Sequence, residues 1–121
     1  MQFNIVHCKK SKFDIYIGRN PQHPFAHFGN PFGFESHDSK HVQCVVKTRT
    51  QAIDCFKLWL YEIDYIDIEP IRRKWILNNI HKLNNKVLGC WCNYPQQDCH
   101  GRIYIERLQQ IQYENQWSLY V

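Results

Sequence analysis

Within residues 87–108, VLGCWCNYPQQDCHGRIYIERL, three cysteines, a histidine and an arginine fall close together: Cys90, Cys92, Cys99, His100 and Arg102. Three chemistries suit that set. Zinc accepts all of Cys90, Cys92, Cys99 and His100, but structural zinc knuckles generally place about two to four residues between paired cysteines, and a C-x-C in a strand-like run argues against a metal. A reactive thiol is the second reading. Cys99 is its first candidate, since a cysteine at a helix N-terminus has its thiolate favoured by the dipole, and His100 or Arg102 would add to the effect or act beside it. The third is a cradle for an anion, with backbone N–H groups at Cys99, His100 and Gly101 facing the ligand, Gly101 allowing close approach, and Arg102 pairing with a phosphate or carboxylate. Against all three stands ordinary packing, in which Cys90 and Cys92 are small buried hydrophobes and His100 helps cap a helix.

A partner for this element lies in GRNPQHPFAHFGNPFGF, residues 18–34. Gly18 and Arg19 follow a strand-like run, and Gly29, Asn30, Pro31 and Phe32 follow ten residues later. Arg19 offers a fork-shaped donor to phosphate, Asn30 can read the edge of a ring, and Phe28 or Phe32 can stack on a base. The histidines His23, His27, His37 and His41 are irregularly spaced in a polar stretch and read as surface groups.

The elements that must hold these residues can be read from periodicity. Phe3 to Cys8 and Phe13 to Ile17 are short β-branched and aromatic runs, read as a hairpin or as two strands of a sheet. The long Pro-, Gly- and His-rich stretch from Gly18 to Lys40 is expected to fold over a site, because loops of that length in compact domains are usually functional or disordered. Thr48 and Gln51 resemble a capping box, and Ile53, Phe56, Trp59, Leu60 and Ile63 then recur at helical spacing, so a helix is expected over 50–64. A second follows Asp67 and Pro70, carrying Ile71, Trp75, Ile76, Ile80 and Leu83 and ending at Asn84 and Asn85.

Lys86 to Cys92 reads as a strand covered on both faces, as in a parallel sheet between helices. Strand alternation places Cys90 and Cys92 on one side and Trp91 on the other. A further helix is expected from about Asp98, which would cap it, and Trp117 to Val121 could form an edge strand. A ligand would then sit outside the carboxyl end of a strand, at the following helix start.

A chain of 121 residues with a 15% aromatic share suits one packed α/β domain over residues 1–121 and argues against disorder. The formal charge of +4 is small. Its two basic clusters, Lys9 to Lys12 and Arg72 to Lys74, read as solvated surface; they give no long basic stripe and so argue against a nucleic-acid partner. No apolar run approaches a membrane span and no leader-like layout opens the chain, so the expectation is a soluble cytoplasmic protein with reduced thiols and no membrane partner.

The elements FDIYIGR, GNPFG, AIDCFKLWL and VLGCWCNYPQQDCHG, in that order, resemble the small prokaryotic and phage family catalogued as domain of unknown function 4326. The likeness covers roughly residues 13–108 and rests most on the CWC and CHG elements. Carried over position by position, it marks Gly18 and Arg19; Gly29, Asn30, Pro31 and Phe32; Cys90, Trp91 and Cys92; and Cys99, His100 and Gly101. Phe28 stands where a tryptophan is usual, and the spacer before it is longer. A looser likeness to Rossmann-like domains accords with a short mixed or parallel sheet flanked by about three helices. The resemblance implies a shared site, in bacteria or phage-infected hosts, and no particular reaction.

The leading expectation is therefore a pocket for a small anionic, nucleotide-like ligand between the GR/GNPF loop and the CWC–CHG junction. The ligand set comprises Gly18, Arg19, Gly29, Asn30, Pro31, Phe32, Cys90, Trp91, Cys92, Gly101 and Arg102, with no cofactor expected. An alternative is a nucleotide or nucleoside hydrolase or transferase using Cys99 or His100. A third is an interaction module stabilised by zinc at Cys90, Cys92, Cys99 and His100. The ligand's identity, any bond-breaking and homo-oligomerisation are left open.

Overall fold

The computed structural model of the chain describes residues 4–34 and 44–118. Five short strands and three α-helices are defined among these: β1 (Asn4–His7), β2 (Ile15–Tyr16), β3 (Phe32–Phe34), β4 (Cys44–Val46), α1 (Arg49–Leu60), α2 (Pro70–Asn79), β5 (Val87–Cys90) and α3 (Gly101–Ser118). A 3-10 turn, Ile80–Leu83, continues α2. The fold is α/β, and every strand pair is parallel. None of the described helices is long and apolar enough to cross a membrane.

β5 is the centre of the main sheet, between β1 and β2. Its residues Leu88, Gly89 and Cys90 are buried, the signature of a strand covered on both faces. The first two runs therefore do not form a hairpin. Each pairs in parallel with β5, Ile5 opposite Leu88 and Ile15 opposite Leu88 from the other side. The Cys8–Asp14 connection is tied to the central strand at both ends, with Cys8 N donating to Cys90 O and Asp14 N to Val87 O. The second sheet, β3 with β4, is a separate parallel pair of three residues per strand.

The apolar spacings bring the helices onto this framework. Phe56, Trp59 and Leu60 of α1, Ile76 of α2, and Ile103, Tyr104 and Leu108 of α3 join Ile5, Ile17 and Leu88 in one buried cluster. At the start of α1, Thr48 Oγ1 accepts from Gln51 N, while Gln51 reaches back to Lys47 N, one residue earlier than a standard capping box. That helix stops at Leu60, short of the expected 64, because the chain turns through Glu62 at φ 59°; Ile63 is consequently 68% exposed. Similarly, Ile71 of α2 faces outward. α3 runs through Trp117 and Ser118, where an edge strand was expected; the remainder of that expected strand, 119–121, lies outside the described residues, as do His37 and His41.

One member of the second basic cluster is not solvated surface. Arg72 is 1% exposed: its guanidinium pairs with Glu69 at 2.9 Å, donates to Gly29 O and His27 O, and lies over the Trp59 ring. A buried arginine is retained only where its donors are satisfied, and here they staple the GNPF loop from behind.

Candidate functional site

A cavity of about 290 Å³ opens at the carboxyl end of β5. Three segments build it. The chain leaving β2 supplies Tyr16, Gly18 and Arg19, the GNPF loop and β3 supply Asn30, Phe32 and Phe34, and the β5–α3 junction supplies Cys90 through Cys92 and Asp98 through His100. The first turns of α1 close the remaining side with Arg49, Ala52 and Ile53. The GR/GNPF loop and the CWC–CHG junction thus face one space.

Inside the wall, polar groups expected to read a ligand are already engaged. Arg19 Nε donates to Asn30 O at 2.9 Å and Nη2 to Phe32 O at 3.0 Å, so the fork clasps the loop while the guanidinium still borders the cavity. Burial and the neighbouring Arg72 hold Arg19 below the ordinary arginine range. Asn30 uses its amide at both ends, donating to Ala52 O and accepting from Phe32 N. Its role is to fix the loop to α1. Phe28 is core, packed on Trp75 and Tyr104, and no base can stack on it.

Four expected positions lie behind the cavity wall. A Cβ at Gly29 would meet the Arg19 backbone at 2.7 Å, and one at Gly101 would meet Ile17 Cδ1 at 2.7 Å. These glycines admit close packing within the fold, not a ligand. Pro31 is fully buried beside them. Arg102 is held on both sides, its guanidinium paired with both oxygens of Asp98 at 2.9 Å and with Glu106 at 2.8 Å. Asp98 was expected to cap the helix, but α3 begins three residues later at Gly101; Asp98 Oδ1 accepts instead from the adjacent Cys99 N, and its carboxyl is held below the usual range chiefly by Arg102.

The sulfurs converge. β5 ends at Cys90 and the chain bends at Trp91 and Cys92, so the C-x-C is not part of a regular strand. The sulfurs of Cys90, Cys92 and Cys99 all lie within 4.8 Å of one another, and Cys99 Sγ is 3.3 Å from Cys90 Sγ. Arg49 Nη1 reaches Cys92 Sγ at 3.1 Å and Asp98 O at 3.3 Å. Hydrogen bonds from its two neighbouring thiols hold Cys92 toward the thiolate, with Arg49 adding to that, whereas the contact with Cys92 and burial push Cys90 up to about 11, and contacts with both thiols push Cys99 further up.

His100 is buried with Nε2 against two carbonyls, Ile17 O at 2.8 Å and Phe28 O at 3.0 Å. Two acceptors require that Nε2 carry the proton. Burial keeps the ring neutral, and Nδ1 stands 4.0 Å from Cys99 Sγ. Cys99 is 1% exposed with its thiol favoured in the protonated form, which leaves Cys92, half-buried and facing Arg49, as the most accessible sulfur of the three.

Aromatic groups form the rim. Trp91 is 56% exposed, and its Nε1 donates to Tyr16 OH at 2.8 Å; Phe34 lies under the Arg49 guanidinium at 5.0 Å. Arg49, Tyr16 and Phe34 were not among the site residues expected from sequence, and Asp98 was expected only as a helix cap. Of the first three, only Arg49 had a local clue, its place just after a helix cap, and that does not by itself announce a site.

Comparison with known proteins gives one match. The family described as Domain of unknown function (DUF4326) aligns with residues 5–110, a span that includes every cavity element. No curated protein and no solved structure matches.

Proposed function

Since the chain belongs to the DUF4326 family, and its cavity carries two arginines beneath an aromatic rim, we propose that it binds a small anionic, nucleotide-like ligand there. The observation that carries this reading is the pair Arg19 and Arg49 lining one cavity with Tyr16, Phe34 and Trp91. Asp98, the carboxylate in that wall, is already neutralised by Arg102. Cys92 offsets one positive charge at most, so the cavity stays cationic. Arg19 is desolvated beside a second buried cation, Arg72, and an arriving anion would relieve that cost.

The size supports a small ligand. Ligand pockets begin at roughly 300 Å³, so about 290 Å³ suits one ring and one charged group better than a dinucleotide. A phosphate would face the arginines, and a base or similar ring would lie along Trp91 and Phe34, since aromatic stacking and bidentate arginine contacts are the usual means of holding such parts. The place, outside the carboxyl end of a parallel strand, is where open α/β sheets receive ligands.

Thermal denaturation with a panel of nucleoside monophosphates, cyclic nucleotides and the matching nucleosides tests this. A nucleotide at 100 times its dissociation constant stabilises the fold by about 2.7 kcal/mol, and its nucleoside, lacking the anion, should give little shift. No shift with any anion of the panel would remove the proposal.

A further inference from the structure

We propose that Cys90, Cys92 and Cys99 form a three-thiolate site for a thiophilic divalent cation, zinc foremost, with a fourth coordination position opening on the cavity. This stands apart from the ligand reading, because it rests on the sulfurs alone.

Sequence spacing argued against a metal, because structural zinc knuckles generally place about two to four residues between paired cysteines and this C-x-C was read on a strand. The structure removes that objection. With β5 ended at Cys90, the bend at Trp91 and Cys92 folds the second sulfur back, and the start of α3 brings in the third. Two sulfurs on one tetrahedral zinc, each about 2.3 Å from it, stand about 3.8 Å apart. The observed spread, from 3.3 Å between Cys90 and Cys99 to no more than 4.8 Å across the trio, brackets that value.

The surroundings suit sulfur that carries charge. Arg49 Nη1 and Gly101 N both point at sulfur, at 3.1 Å from Cys92 and 3.4 Å from Cys99. N–H donors onto ligating groups are the usual outer layer of a metal site. Among the described residues every buried side-chain nitrogen and oxygen has a hydrogen-bond partner. Three thiolates and a zinc ion sum to one negative charge, which Arg49 balances across the wall. Thiolates select zinc over magnesium or calcium, whose ligands are oxygens.

His100 is not the fourth ligand in this arrangement. Its Nε2–H is fixed on two carbonyls, which leaves the lone pair on Nδ1; Nδ1 stands 4.0 Å from Cys99 Sγ but outside the cluster in which the three sulfurs converge. All three cysteines border the cavity, so the fourth position falls to water or to a donor atom of whatever enters. Three protein ligands and an exchangeable fourth are the pattern of zinc sites that do chemistry.

The test uses the full chain purified under reducing conditions. Elemental analysis should find about one zinc per chain, and cobalt added to the chelator-stripped protein should give sulfur-to-cobalt charge-transfer absorption with tetrahedral ligand-field bands. Cys92→Ser should weaken or abolish these bands, whereas Cys8→Ser and Cys55→Ser should leave them unchanged. The idea is overturned if the folded, reduced wild type takes up neither metal stoichiometrically, or if the cobalt spectrum survives Cys92→Ser intact. Because the wild-type spectrum is itself decisive, a variant that fails to fold does not blunt the result.

Discussion

Arg49 Nη1 lies 3.1 Å from Cys92 Sγ, joining the first turn of α1 to the bend after β5 across 43 positions of sequence. The same nitrogen reaches Asp98 O at 3.3 Å, so a single guanidinium ties a helix start to both ends of the β5–α3 junction. It also faces the cavity. A cation in that place links the sulfur cluster to any anion that enters.

Arg49→Met should therefore weaken binding while leaving the chain folded. Losing a charge-assisted hydrogen bond costs about 1.5–3 kcal/mol, which is about tenfold or more in nucleotide affinity. The fold also loses the Arg49 contacts to Cys92 and Asp98 O, about 1.5–3 kcal/mol, but stays folded because α1 is buried through Phe56, Trp59 and Leu60. Calorimetric titration and urea denaturation of the same variant separate the two.

Asn30 should behave in the opposite way. Both ends of its amide are satisfied within the fold, by Ala52 O and Phe32 N. Asn30→Ala orphans both backbone groups and should cost about 2–4 kcal/mol of stability, seen as a lowered denaturation midpoint in the absence of any ligand.

Arg72→Met should be among the most destabilising single changes. It leaves Glu69 without its buried partner and removes donors from Gly29 O and His27 O, a loss of about 3–5 kcal/mol by the measure of broken buried pairs. Lys74→Ala, two residues on and exposed, should change stability by no more than about 0.5 kcal/mol. Chemical denaturation of the pair checks that Arg72 is structural while its neighbour is solvated.

Acid should loosen the GNPF loop before the rest of the fold. His27 Nδ1 accepts from Gly29 N, and burial, with Arg72 and Arg19 nearby, lowers its pKa from 6.5 to about 4. Between those values the unfolded chain takes up a proton that the folded chain refuses, so stability falls as pH drops from about 6.5 and the effect levels off below about 4. His27→Asn keeps an acceptor near Nδ1 without titrating. Denaturation midpoints measured across this window should fall less steeply for the variant than for the wild type.

Much of the scaffold was legible in the sequence because it obeys simple periodicity. Ile53, Phe56, Trp59 and Leu60 mark α1, and the unalternated Val87–Cys90 run marks a strand covered on both faces. Alternation along a strand was expected to put Cys90 and Cys92 on one side; their sulfurs do converge, but through the bend at Trp91 and Cys92 that ends β5. β3 and β4 were not legible, because three residues carry too little pattern and Gly33 interrupts one of them.

The site was legible in outline and not in its chemistry. The two facing loops were expected, but Arg19, Asn30 and Arg102 spend donors on carbonyls and carboxylates of the fold, which only tertiary contacts reveal. Arg49 was missed for the converse reason. A charged residue at a helix start looks like solvated surface until that helix is packed against the end of β5.

The most direct measurement is calorimetric titration of the reduced wild-type chain and Arg49→Met with a nucleoside monophosphate and its parent nucleoside, at two salt concentrations. The account predicts saturable one-to-one binding of the nucleotide that weakens at higher salt, falls about tenfold or more in Arg49→Met, and is nearly lost without the phosphate. Equal binding of nucleotide and nucleoside, or an Arg49→Met isotherm that overlays the wild type, would contradict it.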